Sequence, residues 1–220
     1  MKTIEILDEE EIILGMEEGE KIHYVFLDKV YSKLESLLII SNLNDFSLHF
    51  EGAKFDVPNL KEFSIMGKFA LNIFQNLSED ILCAPLLEIM NFWDTEIEFL
   101  PGFLKKCKSL KSLTFRHGEL LEIPGEIFEM ENLQTLRFHN LKKIRIVPDE
   151  IKKLTNLVRF DLWEASIEYL SPELFLLPKI EVIDLHFSRY SPTSEVIKAC
   201  NKFKEKNNWD SNPWDWYKFT

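Results

Sequence analysis

Imidazole and carboxylate side chains are the groups that move protons or hold divalent metals near neutral pH, and one part of this chain is rich in both. Three of its five histidines, His117, His139 and His186, occur with Asp94, Asp161, Asp184 and Glu164 close by in sequence. Such a set would suit an acid/base pair or a metal cluster. The spacing argues otherwise. The members are spread from Asp94 to His186, and the periodicity described next puts them on an open face, whereas catalytic groups need a cleft that excludes water and shifts their pKa values. No glycine-rich phosphate loop, HExxH, GxSxG or paired-cysteine pattern occurs in the chain. Enzymatic chemistry, a metal and a cofactor are therefore not expected.

The elements that position these residues follow from a repeat. Leu87, Leu110, Leu133, Leu157 and Ile180 open five segments separated by 23, 23, 24 and 23 residues. The first two, LEIMNFWDTEIEFLPGFLKKCKS and LKSLTFRHGELLEIPGEIFEMEN, superpose without a gap and read LxxLxLxxxxLxxLP. The third carries one extra residue before Pro148; the fourth shows Leu157, Phe160, Leu162, Ile167, Leu170 and Pro172. Alternate side chains of a short strand point to opposite faces, so the fourth and sixth positions enter a core while the fifth and seventh face solvent. Each unit hides one face only, so the units must stack.

This pattern resembles the leucine-rich repeat family, in the variant with units of about 23 residues and LxxLP. The resemblance implies an α/β solenoid, a horseshoe lined by a concave parallel β-sheet. Upstream, Leu60, Phe63 and Ile65 look like one further repeat start, and Leu43, Phe46 and Leu48 like a shortened one. The chain departs from the family at the ninth position, where asparagine usually bonds the adjoining turns. Thr95, Gly118, Leu141, Ala165 and Ser188 stand there, and Asn140 sits one residue early, placed to serve its own repeat. Elsewhere the turn polar groups need backbone, hydroxyl or water partners.

The rest of the chain reads as caps, because stacked repeats have raw ends. Residues 1–42 are expected to form an amino-terminal cap. Ile4, Ile6, Ile12, Ile13, Ile22, Tyr24 and Phe26 lie in short strand-like runs broken by Gly15 and Gly19, a hairpin pattern. Leu27, Val30, Tyr31, Leu34, Leu37 and Leu38 recur at helical spacing. Residues 43–188 carry the repeats. Residues 189–220 form a carboxyl-terminal helical cap, starting at Pro192, Thr193 and Ser194 and ending in the aromatic group Trp209, Trp214, Trp216, Tyr217 and Phe219.

At 220 residues, 45% hydrophobic and 29% charged, the chain can bury one continuous core. The start, MKTIEILDEEEIILG, is too acidic for a signal peptide and no run is long enough to span a bilayer, so a cytoplasmic protein without a membrane partner is expected. Cys83, Cys107 and Cys200 are odd in number and widely spaced, which indicates neither disulfides nor zinc. Of the net charge of −11, residues 1–20 contribute about −7, from eight acids against Lys2. Phosphate binding needs a basic surface, which disfavours nucleic acid.

Function is expected on the outward strand positions, which align into columns. Position five reads Asn91, Thr114, Arg137, Asp161, Asp184; position seven Trp93, Arg116, His139, Trp163, His186; position eight Asp94, His117, Asn140, Glu164, Phe187. Rigid aromatics with arginine between them are what binding hot spots favour. Trp93 and Trp163 are expected to anchor a protein partner of a non-enzymatic, monomeric interaction module. Arg116, Arg137, His139, Asp161, Glu164 and His186 would complete the contact surface and set register and selectivity. Arg137 with Asp161, and Arg116 diagonally with Asp94, could also pair across the sheet. The alternative is an inhibitor or immunity-type protein that covers the active site of a basic enzyme or toxin.

Overall fold

The computed structural model describes residues 2–5, 9–15, 22–26, 31–40, 46–50, 56–67, 84–98, 100, 104 and 106–210. In chain order the strands are β1 (Lys2–Glu5), β2 (Glu11–Leu14), β3 (Ile22–Phe26), β4 (Ser36–Ile40), β5 (Phe46–Phe50), β6 (Glu62–Met66), β7 (Ile89–Trp93), β8 (Ser112–Arg116), β9 (Thr135–His139), β10 (Ile146–Val147), β11 (Arg159–Trp163), β12 (Tyr169–Leu170) and β13 (Val182–Asp184). Helix α1 (Ser194–Asn207) follows them. Eight strands form one sheet in the order β13-β11-β9-β8-β7-β6-β4-β2, every neighbour parallel. This is the concave sheet of the expected solenoid.

Register explains why the units stack. The fourth positions align as Ile12, Leu37, Phe63, Met90, Leu113, Leu136, Phe160 and Ile183, and all are buried. The sixth positions align as Leu14, Ile39, Ile65, Phe92, Phe115, Phe138 and Leu162, also buried. Phe92, Phe115 and Phe138 stack face to face, with centroids 4.9 and 5.6 Å apart. Burying a side chain of this size contributes about 1.5–3 kcal/mol, and no unit can bury its own without a neighbour.

Leu60, Phe63 and Ile65 open a repeat as expected, but the amino-terminal expectations need correcting. Ser36–Ile40 is a strand rather than part of a helix, and it pairs with β2 and β6 in the main sheet. Tyr31 and Leu34, the described residues of that stripe just before it, are buried in non-helical chain. Six apolar residues at helical spacing also satisfy strand alternation over a short run, and stacking on β6 decides between them. β1 and β3 do not form a hairpin; they pair parallel, with β5, in a second sheet. Phe46–Phe50, read as a repeat start, is the outer strand of that second sheet. β2 and β4 lie in the same sheet as the repeat strands.

From β6 onward the chain turns through a left-handed residue after each strand of the main sheet. Gly67, Asp94, His117, Asn140, Glu164 and Phe187 all have positive φ, and the five non-glycine values lie between 51° and 55°. Each of the first five donates its N–H to the position-seven carbonyl of the next strand, as in Asp94 to Arg116 at 2.8 Å and Glu164 to His186 at 3.0 Å. Backbone groups thus do what a ninth-position asparagine would do. At position nine itself Ser188 Oγ donates to Leu162 O at 2.6 Å and accepts from Ala165 N. Asn140 does not serve as expected: its Nδ2 lies 2.7 Å from His117 Nδ1, and its buried Oδ1 has no partner among the described residues.

A second ladder lies at the residue before the first leucine of four repeats. Asn59, Asn132 and Asn156 donate Nδ2 to the carbonyls of Ser32, Lys108 and Glu131 in the preceding repeat, and Ser109 Oγ donates to Pro85 O. The return segments are 3-10 turns, Gly125–Glu129, Asp149–Lys153 and Pro172–Leu176, the first two entered directly from Pro124 and Pro148. Proline suits that place because its missing N–H would have no intrahelical partner there.

Helix α1 begins where its sequence signal lies, with Thr193 Oγ1 accepting from Val196 N at 3.3 Å. Its Val196, Ala199, Cys200 and Phe203 are buried, and the Phe203 ring meets Phe175 and Trp209 edge to face. Trp209 packs on the core. Trp214, Trp216, Tyr217 and Phe219 lie outside the described residues, as does Cys83.

Candidate functional site

The columns align as the alternation requires, but position five does not stand in solvent as expected: Asn91, Thr114 and Asp161 are buried, and Arg137 and Asp184 half-buried. Trp93, Arg116, His139 and Trp163 are successive Cα partners at position seven, and Arg137, Asp161 and Asp184 at position five. Strands about 4.8 Å apart place Trp93 some 14 Å from Trp163. Trp93 and Trp163 are half-buried rather than fully exposed. The Trp163 indole is stacked on the His139 imidazole, with centroids 4.3 Å apart and planes 12° from parallel. The His186 ring follows at 5.8 Å, and Phe187 meets His186 at 4.6 Å. Phe187 is 54% exposed. An aromatic ridge thus runs from His139 to Phe187.

Asp161 was expected to face a partner, and here the structure corrects the expectation: its side chain is 1% exposed. Arg137 Nε donates to Oδ2 at 3.1 Å and Arg159 Nε to the same oxygen at 2.8 Å. His139 Nε2 stands 3.9 Å away, at ion-pair rather than hydrogen-bond distance. Burial by itself would raise the Asp161 carboxyl; contact with His139 and Arg159 and the charges of Arg159 and Arg137 outweigh it and hold the group below its usual range. The other oxygen, Oδ1, has no donor among the described residues, and Trp163 Nε1 and His139 Nε2 are likewise buried without a hydrogen bond there. With Asn140 Oδ1, all four such atoms described lie in two adjacent repeats.

The pairing of Arg137 with Asp161 is present as expected. That of Arg116 with Asp94 is absent among the described residues, and Arg116 is exposed. Glu164 is exposed at its left-handed turn. His186 is half-buried, its N–H donating to Asp184 Oδ1 at 3.0 Å and its Nδ1 3.4 Å from the same oxygen. Arg159 was not singled out from sequence, and Phe187 only as a member of the position-eight column. Arg159 stands at position three, which shares the outward face with five and seven, so extending the column reading by two residues would have found it. Toward the amino end position seven turns apolar, with Ile40 and Met66 before Trp93, while position five runs from Asn91 through the buried Ser64 to Leu38 and Ile13, the last 57% exposed.

No protein-family model matches the chain. A curated relative, the volume-regulated anion channel subunit LRRC8E of Xenopus tropicalis, is 30% identical over 150 residues, covering 67% of this chain and 17% of the relative. Among solved structures, a leucine-rich repeat protein of Leptospira interrogans superposes with a TM-score of 0.50 at 24% identity, over 64% of this chain and 35% of that one. The leucine-rich repeat domain of the type III effector XopL gives 0.49 at 24% identity, over 58% and 45%. The chain thus spans a small part of the curated relative and about a third of the Leptospira protein. Among the described residues no helix is long and apolar enough to cross a membrane. Its five evenly spaced LxxLxL segments, the parallel sheet they build, the similarity to LRRC8E and the fold shared with the Leptospira protein make the chain a leucine-rich repeat protein.

Proposed function

We propose that this protein binds a protein partner on its concave sheet and carries out no chemistry of its own. The observation that supports this most is the aromatic ridge of His139, Trp163, His186 and Phe187 on the outward face, with Trp93 in the same column. Large rings at solvent-facing positions are costly unless something covers them, and buried aromatic anchors dominate binding energies. Trp93 and Trp163 anchor in this reading, and Arg116, Arg137, His139, Glu164 and His186 set register. Asp161 holds the arginines and does not itself touch the partner.

The test is crosslinking with mass spectrometry in native lysate, comparing wild type with the Trp93→Ala/Trp163→Ala double variant. Crosslinks that map to β7–β11 in wild type and vanish in the variant support the reading. A partner footprint elsewhere, unchanged by both substitutions, would sink it. We place the protein in the cytoplasm as a monomer, in keeping with buried thiols at Cys107 and Cys200 that pack as small apolar groups.

One observation favours a second reading, an inhibitor of a basic enzyme or toxin. Glu9, Glu10 and Glu11 are all exposed beside the exposed Ile13 on the amino-terminal strand. Binding that weakens steeply with salt and depends on these three glutamates, rather than on the tryptophans, would select it.

A further inference from the structure

Three arginines cross the concave sheet on a diagonal. Arg116 ends β8 and faces His139; two residues before His139 on β9 stands Arg137, which faces Asp161; two residues before Asp161 on β11 stands Arg159. One strand across and two residues along is a step of about 8 Å. All three positions lie on the outward face. We propose that this stripe receives an extended acidic segment of the protein partner, with carboxylates at alternate residues.

The chemistry of the stripe is what points to carboxylates. Arg137 and Arg159 are both held by Nε on one oxygen of the buried Asp161, a contact that fixes each guanidinium yet leaves its two terminal amino groups unused among the described residues. Their side chains remain 39% and 34% exposed. Arg116 has no side-chain partner among the described residues and is exposed. A guanidinium anchored through Nε keeps its outer edge for another acceptor, and carboxylate is the group that fits that edge. Three cations against one carboxylate leave the stripe at +2. Asp94, Glu119 and Glu164 lie past the strand ends and form no ion pair with it among the described residues, and Asp184, the Cα partner of Asp161 on β13, accepts from the His186 N–H instead.

Geometry and long-range charge narrow the occupant. An extended chain carries side chains of one face about 6.6 Å apart, a repeat that long arginine side chains can follow from roots about 8 Å apart. The Trp163 ring lies on the same face, two residues from Asp161, and offers an apolar floor for the segment. A nucleic-acid strand is also anionic, but three arginines beside Asp161 and Asp184, in a chain of net charge −11, are not the extended basic surface that counterion release from a polyphosphate needs.

This inference rests on the reading that the concave sheet binds protein, and the experiment separates the two. The full chain is titrated calorimetrically at low salt with a blocked octapeptide alternating aspartate and threonine, with its asparagine-threonine counterpart, and with octathymidylate. Arg116→Gln is the primary variant because that side chain supports nothing in the fold; Arg159→Lys, which keeps an ion pair to Asp161 but loses the fork, is the second. The expected result is binding of the aspartate peptide alone, weakened about tenfold by Arg116→Gln and measurably by Arg159→Lys. No binding of that peptide at millimolar concentration, equal binding by the Arg116→Gln protein, or tighter binding of octathymidylate overturns the proposal. If the native partner is retained by Arg116→Gln but lost with the tryptophan double variant, the stripe alone is refuted. If both variants retain it, the concave-face reading fails as well.

Discussion

The Trp163 indole lies flat on the His139 imidazole at 4.3 Å, and this stack stands beside the carboxylate of Asp161, which is buried between two arginines. The ring is thus both the candidate anchor and a wall of the polar site. Trp163→Ala is expected to weaken partner binding by about 2 kcal/mol or more. The fold should survive, since the inward Phe160 and Leu162 of the same strand are untouched. Binding measured beside far-ultraviolet circular dichroism checks both halves, and unchanged affinity removes Trp163 from the site.

Asp161 ties stability to pH in a definite direction. Its native carboxyl lies below the unfolded value, so its contribution is complete above about pH 4 and is lost as pH falls through the lowered native value. Asp161→Asn should cost about 2 kcal/mol or more near neutral pH, because it breaks a buried pair. Urea unfolding of both proteins from neutral to strongly acidic pH should show the difference shrinking as the wild-type carboxyl protonates. A gap independent of pH would contradict the assignment.

Gly118 and Leu141, both at position nine, share one space. A Cβ on Gly118 would meet Leu141 Cδ2 at 3.0 Å and Thr95 O at 3.4 Å. Gly118→Ala is therefore expected to destabilise by about 1–3 kcal/mol through overpacking, and Leu141→Val in the same chain should recover part of it. Chemical denaturation of the two single variants and the double variant tests this as a cycle.

Glu164 holds a left-handed backbone conformation without being glycine or asparagine. That conformation costs an L-residue about 1–2 kcal/mol, part of which glycine gives back through its freer unfolded chain. Glu164→Gly should raise the stability by about 0.5–1 kcal/mol, read as a shift in the urea midpoint at unchanged slope.

Asn132 belongs to the ladder that joins successive units, donating to Lys108 O at 2.7 Å. Asn132→Ala should cost about 0.5–1.5 kcal/mol, the worth of one hydrogen bond. A cost shared by Asn156→Ala and larger than that of Ser188→Ala, which removes the position-nine bonds to Leu162 O and Ala165 N, would establish which ladder contributes more.

Much of this was readable from residue order. The five segments from Leu87 to Ser188 declare their strands because inward Met90 and Phe92, Leu113 and Phe115, Leu136 and Phe138 repeat at one spacing, and no other period fits. Trp93, Arg116, His139 and Trp163 had to fall in one column once that register was accepted. The amino-terminal strands were not legible in the same way. β2, β4 and β6 begin 25 and 26 residues apart rather than 23, and Leu37 and Leu38 fit a helical stripe as well as a strand.

What residue order determined by itself was sidedness: period-two alternation in stacked units forces every odd position from three to seven outward, whatever surrounds it. Which outward residues remain available was decided by tertiary structure alone. Asp161 and Glu164 are equivalent by composition, yet one is buried by Arg137, Arg159 and the Trp163 stack while the other stands in solvent past the strand end. Exposure depends on the lengths and directions of side chains from neighbouring strands, and those neighbours lie more than twenty residues away in sequence.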